Sequence, residues 1–238
     1  VCTHVSNVFG FVLPIEEIAA LCRAEGVPLI VDASQSAGIL PFELDTLGAA
    51  FIAMPGHKGL YGPQGTGLLL CAHDAAPLLY GGTGSASLEQ TMPDFLPDRL
   101  EAGTHNVPGI AGLLAGVRYV QQRGPENILL RERRLAQLVS EGLRRLPGVT
   151  VYANGDLHSQ AGVVSFTSRD LGAEEIAAAL GEKDIAVRAG LHCAPLAHET
   201  VGTVDTGTVR VSFSDHNTPR EVEGFLDAMA VSYTHLTL

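Results

Sequence analysis

Lysine is scarce in this chain. Of its fifteen basic residues only Lys58 and Lys183 are lysines, so any chemistry that needs a side-chain amine has two candidates. Cysteine is sparse as well. The four cysteines, at positions 2, 22, 71 and 193, form no C-x-x-C pair, which argues against a disulfide framework or a structural zinc site and fits a reducing, cytoplasmic setting. No apolar run approaches the ~20 residues of a membrane-spanning helix. Residues Val1 to Gly10 also lack the charged-then-apolar order of a secretory signal. Positive charge is in deficit, with 15 Lys+Arg against 26 Asp+Glu and a formal charge of -11. Such a surface repels phosphate backbones and anionic lipid, so neither nucleic acid nor a membrane is the expected partner. Internal repeats and low-complexity tracts are missing too.

What is present is core-forming material: 46% of the 238 residues are hydrophobic and 17% charged, the balance of a globular protein. Pro14 to Glu25 places Ile15, Ile18, Ala19 and Cys22 on one helical face, with Gly26 as the stop. Val27 to Val31 follows as a short apolar run ending at Asp32, the pattern of a strand covered on both faces. Phe51 to Met54 and Gly67 to Cys71 repeat that run around a glycine-rich loop. The pattern predicts an α/β layer with its loops at strand ends, where such folds bind ligands.

Two long helices are predicted over Val107 to Gln122 and Asn127 to Leu146, the second charged along its exposed face. Beyond Pro147, short strands at 149–152, 163–167, 186–188 and 208–213 alternate with helices at 173–181 and 218–229, the last capped by Thr218 with Pro219 at its first position. Residues 1–124 are therefore expected to be part of a large domain and 125–231 a small C-terminal α+β domain. The chain opens without Met in what reads as a strand, and Ser232 to Leu238 abandons the helical pattern. The expectation is an N-terminally incomplete chain with a foreign tail at 232–238.

Lys183 lies at a helix end, where a cation complements the dipole and stays solvated. Lys58 stands among glycines just after a buried strand, where backbone can approach a ligand closely. A loop lysine is ordinarily a solvated charge, and Asp32 at a strand end can equally be a turn residue. Together, though, Asp32, Gln35 and Lys58 set an acid, an amide and an amine at successive strand ends. An amine that tethers a carbonyl cofactor, with an acid to hold a ring nitrogen protonated, is the requirement of pyridoxal phosphate chemistry.

Five ordered segments, His4 to Gly10, Val31 to Gln35, Gly56 to Lys58, Arg99 to Thr104 and Arg188 to Ala194, resemble the class V aminotransferase superfamily, in particular its Suf-like cysteine desulfurases. The resemblance implies the fold type I, aspartate aminotransferase-like α/β architecture of PLP-dependent transferases, with a partial, mainly parallel large-domain sheet. It also implies pyridoxal 5'-phosphate as cofactor. Lys58 would carry the cofactor, Asp32 would pair with its ring nitrogen, Gln35 would bond its hydroxyl and His57 would reach its phosphate. Asn7 would lie near the ring and, with Arg210, hold the carboxylate of L-cysteine. An arginine on a strand can also simply cover apolar surface with its stem. Thr104 would serve the phosphate site of a neighbouring subunit, which implies a homodimer. Cys193 would take sulfur from the substrate as a persulfide, leaving alanine, for delivery to a sulfur-acceptor protein in iron-sulfur cluster assembly or thiolation.

Cys2, Cys22 and Cys71 read as small core hydrophobes, whereas Cys193 follows Arg188 and His192 in a loop. A metal set of His192, Cys193 and His198 lacks a fourth ligand at recognisable spacing, so no metal is expected. The family's front portion supplies further phosphate contacts and a ring-stacking histidine that this sequence does not contain, and Gly56 stands where relatives often have a phosphate-binding serine. Selenocysteine lyase, another class V aminotransferase-fold enzyme, and an inactive fragment acting only in dimerisation or docking are the competing readings.

Overall fold

Pro14 precedes the first helix. In the computed structural model, which describes the backbone of residues 1–236 and side chains as far as residue 231, strand β1 (Cys2–Thr3) leads by a loop into helix α1 (Ile15–Ala24). Glu16 and Glu17 in its first turn and Arg23 in its last complement the helix dipole. At its exit Gly26 is left-handed (φ 65°), its N–H donates to the Arg23 carbonyl, and the Val27 N–H donates to that of Cys22 at 2.8 Å. This glycine-terminated cap occupies Val27. Strand β2 is consequently Ile30–Asp32, shorter than the predicted 27–31.

Helix α2 (Leu44–Leu47), strand β3 (Phe51–Pro55) and strand β4 (Gly67–Cys71) complete a sheet of order β1-β2-β3-β4. The first three strands are parallel, with Val31 opposite Ile52, and β4 runs antiparallel to β3. The covering expected for the β4 run is not found: Leu68, Leu69 and Leu70 are 42%, 50% and 38% exposed. They belong to the outermost strand of the sheet. Residues 72–106 contain a single 3-10 turn at Asp98–Leu100.

Helix α3 (Val107–Arg123) is capped by the Asn106 side chain, which accepts from the Gly109 N–H, and Pro108 lies in its first turn. After Gly124 (φ 81°), helix α4 (Pro125–Leu143) begins on a proline whose missing N–H costs nothing there. It starts and ends earlier than the predicted 127–146. Then come β5 (Val149–Tyr152), β6 (Val163–Ser168), α5 (Ala173–Gly181), β7 (Arg188–Gly190), α6 (Pro195–Val201), β8 (Thr208–Ser212) and α7 (Pro219–Leu236).

These strands form an antiparallel sheet of order β5-β6-β8-β7. Strand β7 lies two residues beyond the predicted 186–188. The α5 exit, with Asp184 at φ 58° and the Ile185 N–H on the Leu180 carbonyl, uses the chain through Ile185. Helix α7 opens on a reciprocal cap, the Thr218 N–H donating to Glu221 and the Glu221 N–H to the Thr218 hydroxyl. It continues through Leu236 rather than stopping at Met229, because residues 230–236 hold neither glycine nor proline to break it. The last two residues of the expected tail lie outside the described residues.

Two cores result. Ile15, Ala19, Val31, Ile52 and Leu113 pack on the first sheet. Phe166, Val164 and Val209 of the second sheet pack against Val139 and Leu143 of α4, Leu180 of α5 and Phe225 of α7. Full burial of a side chain such as Phe166 contributes roughly 1.5–3 kcal/mol. A third cluster of Val5, Ile39, Val120, Ile128 and Ala161 lies along the seam between them. There the loop after β1 is held to the second sheet: the Ala161 N–H donates to Gly10, Gln160 Nε2 to the Phe9 carbonyl (2.9 Å) and Ser165 Oγ to that of Val8.

Candidate active site

The seam brings strand-end loops of one sheet against the inner strands β6 and β8 of the other. After β2, Ala33 to Gly38 turns back on itself, with the Ser34 N–H donating to Asp32 Oδ1 at 2.9 Å. One Asp32 oxygen thus does the work of a turn aspartate. After β3, the loop from Gly56 to Thr66 closes on itself through the Gly56 N–H to the Thr66 carbonyl and the Gly62 N–H to that of Gly56. The two loops touch through glycines: a Cβ on Gly38 would stand 2.1 Å from the Gly59 oxygen, and one on Gly59 would stand 2.3 Å from the Ala37 oxygen. Gln35 and Lys58 lie on these two loops and line one cleft.

A cleft of about 270 Å³ opens there, lined by Gln35 and Lys58 from these loops, Asn7 from the loop after β1, Arg210 from β8 and Glu132 from α4. Arg210 Nη1 donates to the Asn7 carbonyl at 2.9 Å, while its Nε is buried and has no partner among the described residues. Burial first, and Arg188 next, lower the affinity of that guanidinium for its proton. The two arginines face each other across β7 and β8. Two clustered guanidiniums with an unused buried N–H form a site for an anion, planar carboxylates above all.

Asn7 Nδ2 donates to the His192 carbonyl at 2.7 Å. His192 is buried, its Nε2 sits 3.0 Å from Thr208 Oγ1, and burial together with Arg210 pushes its pKa down to about 4. The imidazole is therefore neutral near pH 7 and anchors the turn without adding charge. His192 and Cys193 both adopt left-handed backbone, at φ 51° and 61°, a conformation that costs energy for residues with a Cβ. The Cys193 side chain is exposed, with Arg188 Nη2 4.0 Å from its sulfur.

Asn7, Gln35, Lys58 and Arg210 thus meet in one cleft. Asp32, His57, Thr104 and Cys193 are not among the residues lining it. Asp32 ends the strand next to it, and His57 is exposed beside Lys58. Cys193 adjoins through the Asn7–His192 bond. Thr104 is exposed in the segment before α3. At Gly56 a Cβ would stand 2.2 Å from Thr66 Oγ1, so the Thr66 hydroxyl fills the space a side chain would need. The described residues contain no cluster of metal-ligating side chains.

Glu132 was hidden in the reading of α4 as charged along its exposed face, for its carboxyl is buried. The signal was there: Ile128, Glu132 and Ala136 recur every four residues on the buried stripe. Also unforeseen is the knot around Asp215. Arg123 grips that carboxylate through Nε and Nη2 (2.6 and 2.8 Å), Tyr119 donates to it at 2.6 Å, and the Asp215 N–H donates to the Tyr61 hydroxyl. The Arg123 and Tyr119 bonds, with burial opposing, hold the Asp215 pKa down to about 2. This knot ties the Lys58 loop and α3 to the segment after β8.

The sequence matches the family described as Aminotransferase class-V over residues 1–225. It is 37% identical over 235 residues to a probable cysteine desulfurase of Pyrococcus abyssi, covering 95% of this chain and 57% of that protein. A probable cysteine desulfurase of Xylella fastidiosa is also 37% identical, with 95% and 55% covered. Among solved structures, the cysteine desulfurase of Thermococcus onnurineus NA1 superposes with a TM-score of 0.86 at 38% identity, over 95% of this chain and 57% of that one. A cysteine desulfurase of Escherichia coli gives 0.87 at 27% identity, over 99% and 59%. The chain therefore spans little more than half the length of these relatives. The shared architecture is the fold type I, PLP-transferase α/β fold, here with part of the large-domain sheet and a small α+β unit. A match running from the first strand into the last helix leaves one conclusion: the chain belongs to the class-V aminotransferase family.

Proposed function

We propose that this chain carries the lysine-bearing part of a PLP-dependent cysteine desulfurase, which releases alanine from L-cysteine and retains the sulfur as a persulfide on Cys193. The observation that carries this reading is the single cleft shared by Lys58, Gln35, Asn7 and Arg210, in which the buried Arg210 Nε has no partner among the described residues. An orphaned buried donor in the same cleft as an amine fits a ligand that brings a carboxylate to a tethered carbonyl group. The cysteine desulfurases among the relatives support the choice of substrate.

Lys58 would hold pyridoxal phosphate, with Asp32 at the ring nitrogen, Gln35 at the ring hydroxyl and His57 toward the phosphate. When bound, the cofactor supplies an electron-withdrawing ring that stabilises negative charge at the substrate α-carbon. Arg210 and Asn7 orient the substrate carboxylate. Lys58 Nζ, once free, takes and returns the α-proton. The Cys193 thiolate forms an S–S bond as the Cβ–S bond of the substrate breaks, the electron pair staying on carbon and then taking a proton. The strained His192–Cys193 turn holds that thiol exposed for delivery to an acceptor protein. The same reading makes residues 1–124 part of the cofactor-binding domain and 125–231 the small domain. It also carries a homodimer with Thr104 at the subunit interface, a role in iron-sulfur assembly and a cytoplasmic location. No helix among the described residues is long and apolar enough to cross a membrane.

The test is absorbance. Cofactor added to the protein should give the near-visible band of a lysine-bound adduct, and Lys58→Ala should lose it. Alanine release from L-cysteine should disappear in Cys193→Ser. A full-length protein that shows no band, or that acts on selenocysteine alone, overturns the reading.

A further inference from the structure

Glu132 has no part in the chemistry above, yet it is the one acidic residue among those lining the cleft. The residue is 6% exposed; the described residues offer its carboxyl neither a hydrogen bond nor an ion pair, and its oxygens are not among the fully buried unpaired atoms, so they keep some contact with the cleft. The local backbone is shaped around it: a Cβ on Gly162 would stand 2.7 Å from Glu132 Oε2. A buried carboxyl left without a protein partner carries a desolvation cost that a ligand can remove.

We propose that Glu132 is a further ligand-binding residue of this cleft, donating a hydrogen bond to the carboxylate that Arg210 and Asn7 hold. The proposal rests on the reading of the cleft as an amino-acid site. It requires the carboxyl to keep its proton at neutral pH. Burial, and then the negative charge of Asp215, push its pKa up to about 8. Groups of both signs line the cleft or act on it from nearby. Lys58 and Tyr61 come from the loop after β3 and Arg210 from β8. Asp215, whose negative charge acts on Glu132, is itself paired with Arg123 and Tyr119 of α3 and lies 3.9 Å from Arg131 of α4. Tyr61 is itself pushed above its ordinary range by burial, so it stays neutral throughout. A neutral acid donates to a carboxylate, whereas an ionised one repels it.

Propionate is the probe, because between about pH 6.5 and 9 it stays fully ionised and only the protein changes. Its binding is measured by calorimetry on the cofactor-free chain, in wild type, Glu132→Gln and Glu132→Leu. A charge-assisted hydrogen bond predicts about tenfold weaker binding in Glu132→Leu at neutral pH. Wild-type affinity should fall by a similar factor as pH rises through about 8, while Glu132→Gln, which keeps a donor but cannot ionise, changes little. Thermal melts report whether each variant is folded, and Glu132→Gln carries the test if the leucine variant is not. Three results overturn the proposal: no propionate binding by wild type, unchanged affinity in folded Glu132→Leu, or the same pH profile in wild type and Glu132→Gln. No cofactor enters this measurement, so its failure is distinct from the loss of a Lys58-dependent band.

Discussion

Replacing Glu132 with glutamine should change how the stability of the protein responds to pH, whatever occupies the cleft. In the unfolded chain this carboxyl titrates near its ordinary value, while in the folded protein burial and Asp215 raise it to about 8. Between those values the folded state binds more protons than the unfolded one, so stability falls as pH rises. The contribution is whole below about pH 4.5 and lost by about pH 8. A rise of this size corresponds to about 4–5 kcal/mol at most. Water reaching the carboxyl through the cleft reduces this, and about 2–3 kcal/mol is expected. Urea unfolding of wild type and Glu132→Gln at a series of pH values measures it. The difference in unfolding free energy should move in favour of the glutamine variant by that amount between about pH 5 and 9. Asp215 and His192 also titrate on folding, but both variants share them and the difference cancels their effect. Parallel pH curves would refute the reasoning, since they would mean that the carboxyl ionises as freely in the fold as in water.

Other perturbations probe the elements around the site. Gly38→Ala places a Cβ against the Gly59 oxygen at a backbone φ of 84°; it should lower the thermal midpoint by several degrees, a cost of about 1–3 kcal/mol, and weaken any cofactor band. Asp215→Asn removes the negative charge that Arg123 and Tyr119 bind and replaces one of the two accepting oxygens with an NH2 group. The depressed Asp215 pKa contributes stability that is present above its unfolded value and lost as pH falls toward about 2, so this variant should lose stability at pH 7 and show a flatter acid limb in urea unfolding. His192 should keep a neutral imidazole in NMR titrations until pH falls toward about 4, and the stability from that depressed pKa, whole above about pH 6.5, should decline across the interval. Phe166→Ala, at a side chain with no exposed surface, should cost about 3–5 kcal/mol, read from the urea midpoint at unchanged slope.

Much of this protein could be read from its sequence because local rules decided it. The α1, α3 and α5 helices follow apolar spacing and their caps, β3 through β6 fall within a residue of the runs that mark them, and the shortage of lysine isolates Lys58. Errors gathered where a cap consumed residues that look like strand, as at Val27 and before Arg188, because apolar spacing carries no record of which N–H groups a helix end has already used. Charge was misread for a related reason. The helical period sets Glu132 on the stripe with Ile128 and Ala136, but whether that stripe meets water or the Gly162 backbone depends on residues thirty positions away.

The cleft is the clearest division between the two levels. Amine, amide and arginine were each visible as residue types and the family resemblance implied that they converge; what brings them together was not visible, because Asn7, Gln35, Lys58 and Arg210 reach one space only through the Gly38–Gly59 contact and the seam at Val5 and Ala161. Sequence by itself determined the chemical inventory, since composition and short-range spacing are properties of the chain alone. Tertiary structure decided which charges are dry, which donors are left without partners and which groups share a cavity, since burial and proximity come into being only when distant segments exclude water together.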